Sequence, residues 1–399
     1  MLPEYREDFN RRFTPEKYAR FLTRLEERCG THVAFRNCET PCFFPEPLLR
    51  QMADAGAEMS LQLVGDAEYL AAADQAIPEQ FRAARPTDKP LFIQADFGVV
   101  RLADGTLEPR LVEIQGFPSL YAYQIELAQN YSEVYDLSPT LTPLLGSHTA
   151  EQYRKLVSEA ILGGHDPENV VLLEIDPGQQ KTLADFLLTE KMCGVRTVDV
   201  TKVRKHGRKL FYERERLETP IERIYNRVIV DELVRRQIPI DFSFRDELDV
   251  EWAGHPDWFF RISKFSLPYL RHRFVPRSQF LNEVRELPDA PEKLVLKPLF
   301  SFAGLGVKVG PSREEINTIL DADRKGYLLQ ERLRFEPVIE TPFGLTNAEI
   351  RIMYIWADKP EAVTTIVRMG RGKMMGVDHN KNTMWVGASA GFINQPVVL

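Results

Sequence analysis

The sequence predicts an α/β protein, and three stretches carry the prediction. Between about 150 and 200, helical and strand-like segments alternate: "AEQYRKLVSEAIL", "NVVLLEID", "KTLADFLLTEKMC", "VRTVDVTKV". That alternation marks a small parallel unit, because parallel neighbours need a crossover, usually helical, between them. Upstream, "KPLFIQADFGVVRL" and "PRLVEIQG" read as two strands joined by a turn at Ala103-Asp104-Gly105. Downstream, "KLVLKPLFSFAGLGVKVG" reads as a strand, a turn of small residues and a returning strand.

Taken in order, residues 1–30 read as a helix with Phe13, Tyr18, Phe21, Leu22 and Leu25 on one side. "THVAFRN" is expected as a strand, and 46–75 as a long helical stretch ending near Ile77-Pro78. After the strand pair, "PSLYAYQIELAQNYSEVY" reads as a helix with Ser119 as N-cap and Leu120, Tyr123, Leu127, Tyr131 and Val134 on one stripe. "LFYERERLETPIERIYNRVIV" adds strands to the α/β unit. From about 255 the character changes. "EEINTILDAD" is expected as a helix, "GYLLQERLRF" as a strand, and "AEIRIMYIWA" with "EAVTTIVRMG" as a closing strand pair. The expected organisation is an N-terminal segment (1–149), a central α/β unit (150–255) and a C-terminal region (256–399).

A chain of 399 residues that is 44% hydrophobic can bury a large core. Its net charge of −7 argues against a nucleic-acid protein. The basic run "TKVRKHGRKLFYERER" (201–216) fits a charged surface hairpin as well as an acidic partner. The start "MLPEYREDFNRRF" lacks a signal peptide's apolar core, and no stretch approaches the roughly 20 apolar residues of a membrane span. Cys38 and Cys42 have a spacing that metal ligands use, but no second Cys or His pair completes a zinc site. With Cys29 and Cys193 they read as reduced structural thiols, and the expected compartment is the cytoplasm.

The residues that bear chemistry lie in two places. In "VLKPLFSFAGLGVKV" (295–309), Lys297 stands on a strand ahead of Gly304 and Gly306. Such glycines let the backbone approach a ligand and leave N–H groups free for phosphate oxygens, while the lysine supplies a point charge. No helix follows directly, so this is neither the Walker loop nor the dinucleotide fingerprint. An ordinary glycine-bearing hairpin has the same look.

In "LVEIQGFPSLYAYQ" (111–124), Glu113 and Gln115 share one strand face. Magnesium takes oxygen ligands, usually one or two carboxylates together with phosphates, and Asp96 and Glu113 on neighbouring strands have that composition. A lone Asp such as Asp96 is more often a turn or surface carboxylate, and a solvated sheet face accounts for Glu113 equally. His255, His272 and His379 show no partner spacing for a triad, and no Gly-x-Ser-x-Gly elbow is present.

Together these segments resemble the ATP-grasp superfamily. "GYLLQERL" (326–333), one helix after the lysine hairpin, looks like that fold's adenine-binding hinge, with Gln330 and Glu331 facing adenine and ribose. "ADFGVVRLADGTLEPRLVEIQGFPSL" is similar to a motif of the glutathionylspermidine synthase-like branch. Asp96, Glu113 and Gln115 match its magnesium-binding Asp, Glu and Asn. In "HPDWFFRISKFSLPYLRHRFVP", Lys264 falls at the lysine that packs over the nucleotide before a helix, and Arg368 resembles the arginine on the final strand near the phosphates.

The resemblance implies an ATP-grasp-like α/β fold: a central pre-ATP-grasp unit and a C-terminal ATP-grasp half with antiparallel sheets, without an amidase domain. It further implies ATP and Mg²⁺ as cofactors, and an ADP-forming ligase that joins a small-molecule carboxylate to an amine through an acyl-phosphate. Lys297 and Arg368 would serve catalysis; Lys264, Lys297, Gly304, Gly306, Gln330, Glu331 and Arg368 would hold nucleotide; Asp96, Glu113 and Gln115 would hold metal. Two positions depart from the family. Gln115 stands for Asn, and Gln94 stands where the family has an arginine facing the γ-phosphate, with Arg101 or Arg351 as substitutes. Glu349 with Asn382 is a competing metal pair. A small-molecule kinase and a nucleotide-binding protein without turnover stay open beside the ligase.

Overall fold

The computed structural model describes residues 1–301, 304–372, 375–376 and 383–395. Two helices, α1 (Pro3–Arg12) and α2 (Pro15–Cys29), replace the single helix expected at the start. Pro15 opens the second, and the Thr14 side chain caps it by accepting from Lys17 N. Residues 31–37 form no strand beyond a bridge of Asn37 to Ala388; the strand comes later, as β1 (Cys42–Phe44). The expected 46–75 helix divides into α3 (Glu46–Gly65) and α4 (Ala67–Ala76), because the Asp66 side chain accepts from Tyr69 N and starts a new helix.

β2 (Phe92–Arg101) and β3 (Leu107–Gln115) form the expected antiparallel pair. α5 (Tyr121–Tyr135) follows, but Ser119 does not cap it. Leu120 takes a left-handed conformation there, and the buried Asp185 carboxylate accepts from the N–H groups of Leu120 (3.0 Å), Ala122 (3.1 Å) and Tyr123 (2.9 Å). The cap comes from 65 residues away. Asp185→Ala would leave these N–H groups buried without an acceptor. It is expected to cost about 2–4 kcal/mol, measured as a lowered urea midpoint.

β4 (Leu141–Thr142), α6 (Ala150–Leu162), β5 (Val170–Glu174), α7 (Leu183–Cys193) and β6 (Arg196–Asp199) come next. A small antiparallel sheet of β7 (Arg204–His206), β8 (Lys209–Arg214) and β9 (Leu217–Ile221) then leads to β10 (Arg223–Asn226), α8 (Val230–Arg235) and β11 (Glu251–Ala253). Strands β11-β10-β5-β6 form the expected parallel sheet, and β5 is buried throughout. The basic run lies on the antiparallel meander, where Lys205, Arg208 and Arg214 pair with Asp246 (2.6 Å), Asp249 (2.9 Å) and Glu168 (3.0 Å).

The remaining elements are α9 (Trp258–Arg261), β12 (Ser278–Phe280), β13 (Leu294–Pro298), β14 (Lys308–Val309), α10 (Arg313–Asn317), β15 (Tyr327–Glu331), β16 (Ile339–Thr341), β17 (Gly344–Trp356), β18 (Pro360–Gly370) and β19 (Gly387–Asn394). β12-β15-β13-β14 make an antiparallel sheet. β17 and β18 do not close the fold. β19 follows, antiparallel to β18 and parallel to β1. The large sheet therefore runs β1-β19-β18-β17-β2-β3, with β16 and β4 at its margins.

The two faces of this sheet differ. On one, Ile93, Ala95, Phe97, Ile350, Ile352 and Tyr354 belong to the core that takes in Leu49, Met52 and Met59 of α3. On the other, Phe92, Met353 and Ile355 pack with Tyr121 and Ile125 of α5 and with the parallel unit. Further along that second face, alternate positions become Gln94, Asp96, Arg351 and Glu349. Side chains alternate across a strand, so one register carries both the apolar half and the charged half. Among the described residues no helix is long and apolar enough to cross a membrane.

Candidate functional site

The charged half is a row across four strands. Asp96 on β2 lies opposite Glu113 on β3 and Arg351 on β17, and Glu349 lies opposite Arg368 on β18. Arg351 holds both Asp96 oxygens, with Nε at 2.6 Å and Nη2 at 2.7 Å, and its Nη1 donates to Gln94 Oε1 at 2.8 Å. Arg368 donates to Asp96 and pairs with Glu349. Asp96 is only 1% exposed, and these two guanidinium groups are its charge-assisted hydrogen-bond partners. Gln94 in turn donates to Ser119 O at 2.8 Å, tying the row to the start of α5.

Two lysines reach this row from elsewhere. Lys297 on β13 donates to Val112 O of β3 at 2.9 Å. Lys264, in the turn after α9, donates to Ser301 O at 2.7 Å and lies 3.5 Å from Glu113 Oε2. Four cations thus face three carboxylates. Burial works to raise the Glu113 carboxyl, but Lys264, Lys297, Arg351 and Arg368 overcome it and hold it down to about 2. Burial is the largest influence on Lys297 and pulls it down to about 8, against the attraction of Glu113. Glu349 is raised, first by burial and then by repulsion from Asp96 and Glu113, against the pull of Arg368 and Arg351.

Most of the residues singled out from sequence therefore meet: Asp96, Glu113, Gln115, Lys264, Lys297 and Arg368. Gln330, 2% exposed, has its Nε2 3.5 Å from the same Val112 O. Glu331 is the next residue of the strand and is exposed, as alternation requires. Gly304 and Gly306 both take left-handed φ, 75° and 73°, in the turn between β13 and β14. A Cβ at Gly306 would stand 2.9 Å from Pro298 Cγ. Lys264 is followed by a short helical turn, Lys264–Ser266, and not by a longer helix. Lys373, His379, Asn380 and Asn382 lie outside the described residues. Arg101 is on the surface with Glu336 (2.9 Å), so Arg351 is the arginine at Gln94.

Magnesium was expected at Asp96, Glu113 and Gln115. As arranged, they offer no ready site. Both Asp96 oxygens are taken by arginines, the Gln115 amide donates to Glu113, and no cluster of three or more His, Cys, Asp or Glu suited to a metal occurs among the described residues. A divalent cation placed there would sit among four like charges.

Sequence reading missed one group beside the row. Arg227, just past β10, is 5% exposed, and its Nε and Nη1 are buried without a hydrogen-bond partner among the described residues. Its guanidinium lies over the rings of Phe117 (5.1 Å) and Phe186 (5.5 Å). Phe117 belongs to the Gly-Phe-Pro break that follows Gln115. The neighbouring Glu174, at the end of β5, is raised to about 7 by burial, against the pull of Arg227. Both residues stand at the carboxyl ends of parallel strands, where open α/β sheets bind ligands. Position after a parallel strand was the one available signal.

These sheets and their connections make an ATP-grasp-type fold. In fold the chain is similar to the apo form of a glutathione synthetase-like effector from Globodera pallida, with a TM-score of 0.58 over 96% of this chain and 98% of that one, at 12% identity. No family model matches the chain, and no curated protein matches its sequence.

Proposed function

We propose that the chain is an ATP-dependent carboxylate–amine ligase of the glutathionylspermidine synthase-like branch. One observation carries this reading: Lys264, Lys297, Arg351 and Arg368 converge on one buried row. In an ATP-grasp-type fold, such an excess of buried cations suits a polyphosphate.

Lys264 and Lys297 now donate to backbone carbonyls, and both would exchange these for phosphate oxygens. Gln330 would meet adenine from the strand beside Lys297, with Glu331 at the exposed rim toward ribose. Arg227 would anchor a carboxylate of the substrate through its two unpaired N–H groups. A second carboxylate, held near the γ-phosphoryl by Arg351 and Arg368, attacks phosphorus. ADP leaves and an acyl-phosphate remains. The amine then adds to the acyl carbon, gives up one N–H proton to solvent or the departing phosphate, and expels inorganic phosphate, giving an amide. In this scheme positioning and charge compensation do the work. Calorimetry with and without Mg²⁺ tests whether ATP binding needs the metal.

The test is phosphate release from ATP across paired carboxylates and amines. A ligase releases phosphate only when both are present, whereas a kinase makes ADP without phosphate. The double clamp on Asp96 favours a second reading, a nucleotide-binding protein without turnover, which would bind ATP and release nothing. For the ligase, Arg227→Met is expected to leave ATP affinity within about threefold while raising KM for the carboxylate at least roughly 30-fold, the weight of a buried charge pair. Equal loss of both would place Arg227 in the nucleotide site.

A further inference from the structure

Cys38 and Cys42 lack a second Cys or His pair in the sequence, but the fold supplies a third sulfur. Met369, near the end of β18, places its Sδ 3.4 Å from Cys38 Sγ and 3.5 Å from Cys42 Sγ. Cys42 arrives on β1, and Cys38 is fixed by its backbone N–H, which donates to Ala388 O at 2.7 Å. All three side chains are fully buried.

The surroundings are not simply apolar. Arg6 of α1, 5% exposed, reaches into the loop between the cysteines, where Nη1 donates to Thr40 Oγ1 (2.7 Å) and Pro41 O (3.1 Å). Its Nε and Nη2 are buried and have no hydrogen-bond partner among the described residues. Glu39, the carboxylate of that loop, is engaged by Arg36 and by Trp385 N (2.9 Å). A guanidinium buried beside neutral thiols is costly, and an anion there would offset it.

We propose that Cys38, Cys42 and Met369 form a site for a soft monovalent metal ion of the Cu(I) class, with Arg6 as its counter-charge. Two thiolates and a thioether are soft donors, the set that favours Cu(I) over hard ions. Two thiolates with one Cu(I) carry a single negative charge, which Arg6 balances. On binding, each S–H bond breaks, its proton leaves to solvent and its sulfur bonds the ion. No electron is transferred. With metal–sulfur bonds of about 2.3 Å, a trigonal ion would hold the sulfurs about 4 Å apart, so the trio opens by roughly half an ångström. Entry requires Arg6, and with it the ten-residue helix α1, to move off the loop between the cysteines.

The test is anaerobic titration of the reduced, full-length chain against a chromophoric Cu(I) chelator. Wild type and the C29S/C193S double variant are expected to withdraw one equivalent, while C38S and C42S withdraw none. M369L keeps the side-chain volume and is expected to bind at least tenfold more weakly while retaining the wild-type circular dichroism. Where the serine variants fail to fold, M369L decides together with the count of sulfur neighbours by X-ray absorption, expected to be three in wild type. Wild type that leaves Cu(I) on the chelator overturns the proposal. So does C38S/C42S uptake equal to wild type, or an M369L variant of unchanged affinity.

Discussion

Lys297→Ala is expected to bind ATP roughly 30- to 150-fold more weakly than wild type in calorimetric titration, a loss of about 2–3 kcal/mol for one charge-assisted contact. Lys297 is 5% exposed and already pointed by Val112 O, so the ammonium costs little further entropy when it meets phosphate. The same residue sets a pH dependence. Burial brings it to about 8, below the ordinary lysine value. Below pH 8 it is charged and affinity is full. Above 8 the free protein becomes neutral there, and ATP must bind with uptake of a proton, so affinity falls by up to tenfold per unit. Lys297→Arg keeps its charge and is expected to flatten that profile between pH 7.5 and 9.5. A wild-type affinity constant across the range would remove Lys297 from the phosphate site.

Asp96→Asn is expected to lower stability by about 3–5 kcal/mol, because it leaves two guanidinium groups buried without their shared carboxylate. The side-chain exposures of Asp96 (1%), Arg351 (11%) and Arg368 (21%) leave little water to take its place. Glu349 remains for Arg368 alone. Urea unfolding at pH 7 measures the loss. Inorganic tripolyphosphate should recover part of it and raise the variant's midpoint more than wild type's, since the variant adds two guanidinium groups without their shared carboxylate to the lysines that both proteins present. An unfolding free energy within about 1 kcal/mol of wild type would mean that the row relaxes, and that the clamp is weaker than its geometry.

What could be read in advance follows the range of each interaction. The β2–β3 pair and its charged face were legible because alternation and an Asp-Gly turn are local. The lysine hairpin was legible for the same reason. Arg351 was visible only as one of two substitutes for the residue missing at 94, since its place depends on a strand pairing across 255 residues. The N-cap of α5 was misread because Ser119 satisfies the local rule while Asp185 does the capping from another helix. Arg227 left only its position after a parallel strand. A single arginine after a strand looks the same whether its N–H groups meet water or are shut in between two rings. Met369 beside the cysteines is likewise a product of sheet order.

The pairing of β2 with β17 has a consequence for biosynthesis. At about 5–20 residues per second, a ribosome that has made Asp96 needs roughly 10–50 seconds more to make Arg351, 255 positions later. Until then the carboxylate has no guanidinium on its far side, and the β2 edge stands unpaired. Because α3 covers a face of the sheet and not this edge, the nascent β2–β3 pair has an open edge until the last strands arrive. Ribosome-bound chains halted before β17 should thus be protease-sensitive across β2 and β3, and become resistant only once β17 has emerged.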